Sequence, residues 1–179
     1  VLTEAADAGA NMTQYQTEAM IVNQQLTDQA IANYDAMIAA QEEYDSALGA
    51  ANSKEEQALA NNASQIDTYR QVRDAIEIYL DSLSKYGDKT TALNDAFAAL
   101  GAQAPEVQEA IREALTSDDG ELMDFSEAST VARDNVELAL SEAEAAKKQI
   151  QETGNSERLA AEQAFAGAMT GSTGGKVLC

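Results

Sequence analysis

The sequence predicts an all-α protein: a long antiparallel coiled-coil hairpin or an elongated helical bundle, with a small helical middle segment. Three observations favour this fold class. Apolar residues recur at alternating spacings of three and four over several long windows. Capping residues bracket these windows, and no window alternates β-branched with polar residues as a strand would. The 45% hydrophobic content is mostly alanine and only 5% of residues are aromatic, which indicates a thin core between closely packed helices.

The first predicted helix runs from about residue 12 to about residue 48, and it carries the strongest helical signal in the chain. Asn11 is a suitable N-cap for its start, and Gly49 is a suitable residue just beyond its end. We expect the apolar residues on one face of this helix to form a packing and assembly seam: Met12, Tyr15, Val22, Leu26, Tyr34, Met37 and Leu48.

A second helix is predicted to begin near Lys54, because Ser53 and Glu56 match the spacing of a capping box. A short connection at 49–53 would make the two helices antiparallel neighbours, so residues 1–88 would form an N-terminal helical hairpin. The alternative is one continuous helix bent at Gly49. In either case the seam continues through Leu59, Ile66, Ile76, Leu80 and Leu83.

Residues 89–120 predict a middle segment of two short helices, since Gly101 ends one and Pro105 suits the first position of the next. Residues 121–170 predict a long C-terminal helix that packs on the hairpin, interrupted at Gly154-Asn155. Residues 171–179 have the composition of a flexible tail. The C-terminal helix adds these residues to the predicted seam: Leu122, Val136, Leu138 and Ile150.

The charge balance restricts the partners that the chain can have. The 31 acidic residues exceed the 11 basic ones, which gives a formal net charge of -20. This charge repels phosphate backbones, so we expect no nucleic-acid binding. No stretch approaches the ~20 apolar residues of a membrane span, so we expect no membrane insertion. The expected partners are a second copy of the chain, as a homo-oligomer or filament, or a basic protein.

Residues that could carry chemistry are few. The chain has no histidine, the usual proton shuttle and metal ligand, and its one cysteine is Cys179. The acidic turn at 118–121 lacks the alternating oxygen ligands of a calcium loop, since Leu115 occupies the place of the first ligand. The sequence therefore predicts no catalytic residue, no metal ligand and no cofactor, and a non-enzymatic role.

The stretch from Glu106 to Ala143 carries a resemblance to a known family. A short helix with the sequence Val-Gln-Glu-Ala-Ile at 107–111 leads through a polar turn into a long helix with Leu122, Val136 and Leu140. This arrangement resembles the extracellular filament and needle-tip proteins of bacterial type III secretion systems, in which the N- and C-terminal helices form a coiled coil and mediate subunit packing. The resemblance implies an extracellular or cell-surface protein that self-assembles.

Two functions follow as expectations. The first is a structural protein that self-assembles through its coiled-coil helices. The family resemblance implies that this protein is an extracellular secretion-system filament or tip subunit. The second is an acidic helical binding module or adaptor for a basic protein. Apolar residues on two faces of the long helices, such as Ile21 beside Val22 and Ile38 beside Met37, favour assembly, because each helix then has more than one face to cover.

Overall fold

The computed structural model describes residues 2–101 and 104–170, with the side chains of 11–101 and 104–170. The tail predicted at 171–179, with Cys179, lies outside these residues. Within them all regular structure is helical, which confirms the all-α class, and the only strand-like pairing is an isolated bridge between Thr116 and Leu122. The helices are α1 (Leu2–Tyr86), α2 (Lys89–Leu100), α3 (Pro105–Ala114), α4 (Phe125–Glu127), a π-helical turn (Ala128–Ala132) and α5 (Arg133–Met169).

The turn predicted at 49–53 is wrong: α1 continues through it as one helix of 85 residues. The alternative of a continuous helix describes this region. A glycine inside a helix costs only about 1 kcal/mol relative to alanine, and the alanines around Gly49 are strong helix formers. Ala51, two residues after Gly49, is 5% exposed, so packing also stabilises the helix here. The capping-box spacing of Ser53 and Glu56 lies inside the helix and caps nothing.

The two short helices of the middle segment form where the sequence predicts them. Asp88 is the N-cap of α2, and its carboxylate accepts a hydrogen bond from the Thr91 backbone N–H at 3.0 Å. The Thr91 hydroxyl also donates to this carboxylate, and its hydrogen bond, followed by that of the backbone N–H, holds the pKa of Asp88 below its usual value. Gly101 ends α2 at a φ of 76°, a backbone conformation that favours glycine, and Pro105 is the first residue of α3.

The C-terminal helical region begins at Phe125, where the Asp124 side chain accepts from the Glu127 backbone N–H. The interruption predicted at Gly154-Asn155 is wrong, because α5 runs unbroken from Arg133 to Met169. Gly154 lies inside this helix. It is buried, and a Cβ built on it would lie 1.8 Å from Oε2 of Glu55 on α1.

The helices pack into two compact units. One comprises Asn52–Asn155, and the other joins the described residues up to Ala51 with those from Ser156. In the Asn52–Asn155 unit, α1, α2, α3 and the start of α5 surround a core whose largest fully buried side chains are Ile76, Tyr79, Ile111 and Leu115. Away from that core, Ile66 packs with Leu140 and Ala143, so α1 and α5 run antiparallel within the unit.

We expect Gly49→Ala to stabilise the protein by about 1 kcal/mol, because Gly49 lies inside a helix and nothing within 4 Å would meet the added methyl group. Gly87→Ala is the contrasting control: its φ of 70° suits glycine, so alanine there should destabilise by roughly 1 kcal/mol. Urea unfolding of both variants measures the difference. Destabilisation by Gly49→Ala would indicate a helix end at residue 49.

Candidate functional site

The apolar face of α1 between Met12 and Ile38 is the candidate site, because the rest of the described structure leaves it uncovered. Five predicted seam residues on this face have side chains that are 52–75% exposed: Met12, Tyr15, Val22, Leu26 and Tyr34. Met20, Ile31 and Ile38 lie beside them around the helix, Ile21 lies on the opposite side, and all four are also exposed. We call the region from Met12 to Ile38 the N-terminal face. Burial of such side chains is favourable, so a concentration of them at the surface makes this face the candidate site.

The position at which α5 ends explains why side chains of α1 before residue 40 are exposed. In the unit that contains both segments, the ring of Tyr44 packs on that of Phe165 with centroids 5.0 Å apart. Ala40 and Ala161 are buried in the same unit. Since α5 ends at Met169, the part of α1 before residue 40 extends past the helix that covers the following turns.

The other predicted seam residues divide by burial. Four are buried: Ile66, Ile76, Leu80 and Val136. Six are partly buried: Met37, Leu48, Leu59, Leu83, Leu122 and Ile150. The placement of Leu138 in a packed seam is wrong, because its side chain is 59% exposed and Leu140 occupies the buried position. Leu138 and Leu140 are two positions apart in sequence, which separates them by about 200° around the helix, so they cannot lie on the same face.

Asn62 is a buried polar residue that the sequence reasoning missed. Its side chain is 5% exposed, and its Nδ2 donates to the backbone carbonyl of Ala143 on α5 at 2.9 Å. Its Oδ1 is buried without a hydrogen-bond partner in the described structure. A buried asparagine between two helices fixes their register at a cost in stability. The signal was present in the sequence, since Asn62 continues the 3-4 spacing between Leu59 and Ile66.

Two further polar contacts join α1 to the later elements of the Asn52–Asn155 unit. The guanidinium of Arg133 donates to both carboxylate oxygens of Glu77, at 2.9 and 3.0 Å, which raises the pKa of Arg133 above its ordinary value. The Tyr79 hydroxyl donates to the backbone carbonyl of Met123. Burial, followed by the negative charges of Asp124 and Glu127, raises the pKa of Tyr79 to about 12. Tyr79 therefore stays protonated and acts as a structural donor.

Residues that could hold a metal ion do not come together: no cluster of three or more carboxylate, thiol or imidazole groups occurs among the side chains of 11–101 and 104–170. No helix in the described part of the chain is long and apolar enough to cross a membrane. Comparison with protein-family models, curated proteins and solved structures found no match. The resemblance to secretion-system filament and tip proteins therefore stays a prediction.

We expect Asn62→Leu to raise the free energy of unfolding by about 1 kcal/mol, since it removes a buried oxygen that lacks a partner while keeping a side chain of similar size. The control is Asn61→Leu, at an exposed neighbouring position on the same helix, which should change stability by less than about 0.5 kcal/mol. Thermal and urea unfolding measure both. A loss of stability in Asn62→Leu would mean that the Asn62–Ala143 bond is worth more than the unpaired oxygen costs.

Proposed function

We propose that the chain is a structural protein that self-assembles through the N-terminal face of α1, with a second copy of the chain as its partner. The observation that carries this proposal is the concentration of exposed apolar side chains on that face. Of the fourteen large apolar side chains exposed in the described structure, nine lie between residues 12 and 38. Exposed apolar residues scattered singly need no explanation, whereas a continuous face does.

The size of this face matches a stable interface. At about 150 Å² per side chain, exposed fractions of 41–75% leave on the order of 800 Å² of apolar surface. The largest apolar patch of a typical monomer is about 300–600 Å², and a standard interface buries about 800 Å² on each partner. Met20, Ile31 and Ile38 lie about a third of a turn from Leu26 around the helix. The helix therefore presents apolar residues to more than one neighbour, which favours an assembly larger than a dimer.

The charge around this face favours a second copy over a basic partner. Between residues 11 and 41 there are only three charged side chains, all acidic: Glu18, Asp28 and Asp35. None occupies a stripe position, and amide and hydroxyl side chains fill much of the remaining surface. A basic partner would meet few carboxylates here. Two identical copies would meet an apolar face with little like charge beside it.

The net charge of the chain sets the conditions for assembly. No lysine or arginine occurs between residues 11 and 53, so copies that pair through this part of α1 gain no ion pairs there. Their carboxylates repel, and salt screens that repulsion. Self-association should therefore strengthen as the salt concentration rises. The filament form and the extracellular location implied by the family resemblance remain predictions, and the proposal does not depend on them.

We expect the mass measured by light scattering during size exclusion, with reductant present, to exceed 19.0 kDa and to grow between about 0.1 M and about 1 M NaCl. Leu26→Glu should abolish the increase, because it places a charge in the centre of the interface. Leu138→Glu is the matched control, since Leu138 is similarly exposed outside the N-terminal face. A wild-type protein that is monomeric at both salt concentrations, or equal loss in both variants, would contradict the proposal.

A further inference from the structure

A second surface, separate from the N-terminal face, lies within the Asn52–Asn155 unit. It is a groove of about 370 Å³ between α1, α3 and the start of α5. Its buried floor consists of Val72, Met123 and Val136, and Tyr69 and Val131 form its more exposed sides. The groove is therefore apolar at its base and reachable from solvent.

The π-helical turn contributes one side of this groove. The Arg133 backbone N–H donates to the carbonyl of Ala128, five residues earlier, so this turn is wider than an ordinary helical turn. Ala128 and Ala132 face the core, whereas Val131 is 47% exposed at the groove. Turns of this kind are rare and are frequently found at functional sites.

The charged residues that line the groove are all acidic. Glu113 and Asp118 are its only charged lining residues in the described structure, and neither receives an ion pair or side-chain hydrogen bond there. Two cations close to the groove in sequence are engaged elsewhere: Arg133 pairs with Glu77, and Arg112 with Glu109. Residues 106–127 contain eight carboxylates and one arginine, so the potential around the groove is strongly negative.

We infer that this groove binds a basic amphipathic segment of a partner protein. The apolar side chains of that segment would pack on Val72, Met123 and Val136, while its lysine or arginine residues would pair with Glu113 and Asp118. The groove combines an apolar floor with acidic sides. A cationic helix with one apolar face is complementary to both features. The inference is independent of self-assembly, which uses a different face of a different unit.

The test uses a fluorescein-labelled peptide of about four helical turns, built from leucine and lysine with all leucines on one face, and a scrambled peptide of equal composition. Fluorescence anisotropy with the full chain should show binding of the amphipathic peptide about tenfold tighter than of the scrambled one. Leu26→Glu should bind like the wild type. Equal affinity for both peptides would indicate attraction by net charge alone and would overturn the inference.

Variants with matched controls assign the binding to the groove. The pair Glu113→Gln and Asp118→Asn should weaken binding about tenfold and reduce its salt dependence. The pair Glu142→Gln and Glu144→Gln removes the same charge from exposed positions of α5 outside the groove and should leave the affinity nearly unchanged. Val131→Ser should weaken binding about fivefold without any change in charge. Equal effects of the two double variants, or no effect of Val131→Ser, would contradict binding in the groove.

Discussion

Close packing of α5 on α1 through small side chains is the contact on which the rest of the structure depends. In the Asn52–Asn155 unit, Gly154 lets the Glu55 side chain lie where a Cβ would otherwise be, and Ala143 is buried beside Ile66. The Asn62 amide adds a hydrogen bond to the Ala143 carbonyl, and a slip of the helices along each other would break it. Small residues allow the close approach, and the asparagine selects one register.

Where α2 and α3 pack against α1 and α5, the core consists of larger side chains. Tyr79 reaches the Met123 carbonyl, and Ile76, Ile111 and Leu115 are completely buried around it. This cluster holds α2 and α3 in place, although helices of 12 and 10 residues are marginal by themselves. The cluster also includes Ala128 and Ala132 of the π-helical turn, so the groove lies directly against this core.

The sequence predicted those features that depend on local chemistry. Gly101 and Pro105 mark the boundaries of α2 and α3 because each has a special backbone requirement. The errors arose where tertiary packing outweighs a local signal. The sequence predicts breaks at Gly49 and Gly154, yet each lies inside a helix, which tolerates a single glycine. Leu138 and Leu140 both fit the apolar pattern, and only the position of α1 decides which one is buried. The exposure of the N-terminal face depends on where α5 ends relative to α1, which periodicity does not reveal.

The two proposed surfaces would bind their partners through different interactions. The N-terminal face has many apolar side chains and little charge, so burial of apolar surface would drive contact between copies. The groove has a small apolar floor and acidic walls, so charge would select its partner. An acidic protein can use both surfaces, because the N-terminal face itself carries few charged side chains.

Hydrogen–deuterium exchange followed by mass spectrometry tests the central claim most directly, because it reports on the N-terminal face without any substitution. With reductant and high salt present, amides of residues 12–38 should exchange faster than those of 66–80 in dilute protein, since only the latter belong to a packed helix. They should slow at high protein concentration, while residues 66–80 stay unchanged. Slow exchange of residues 12–38 in dilute protein, or no dependence on concentration, would contradict an uncovered face that self-association closes.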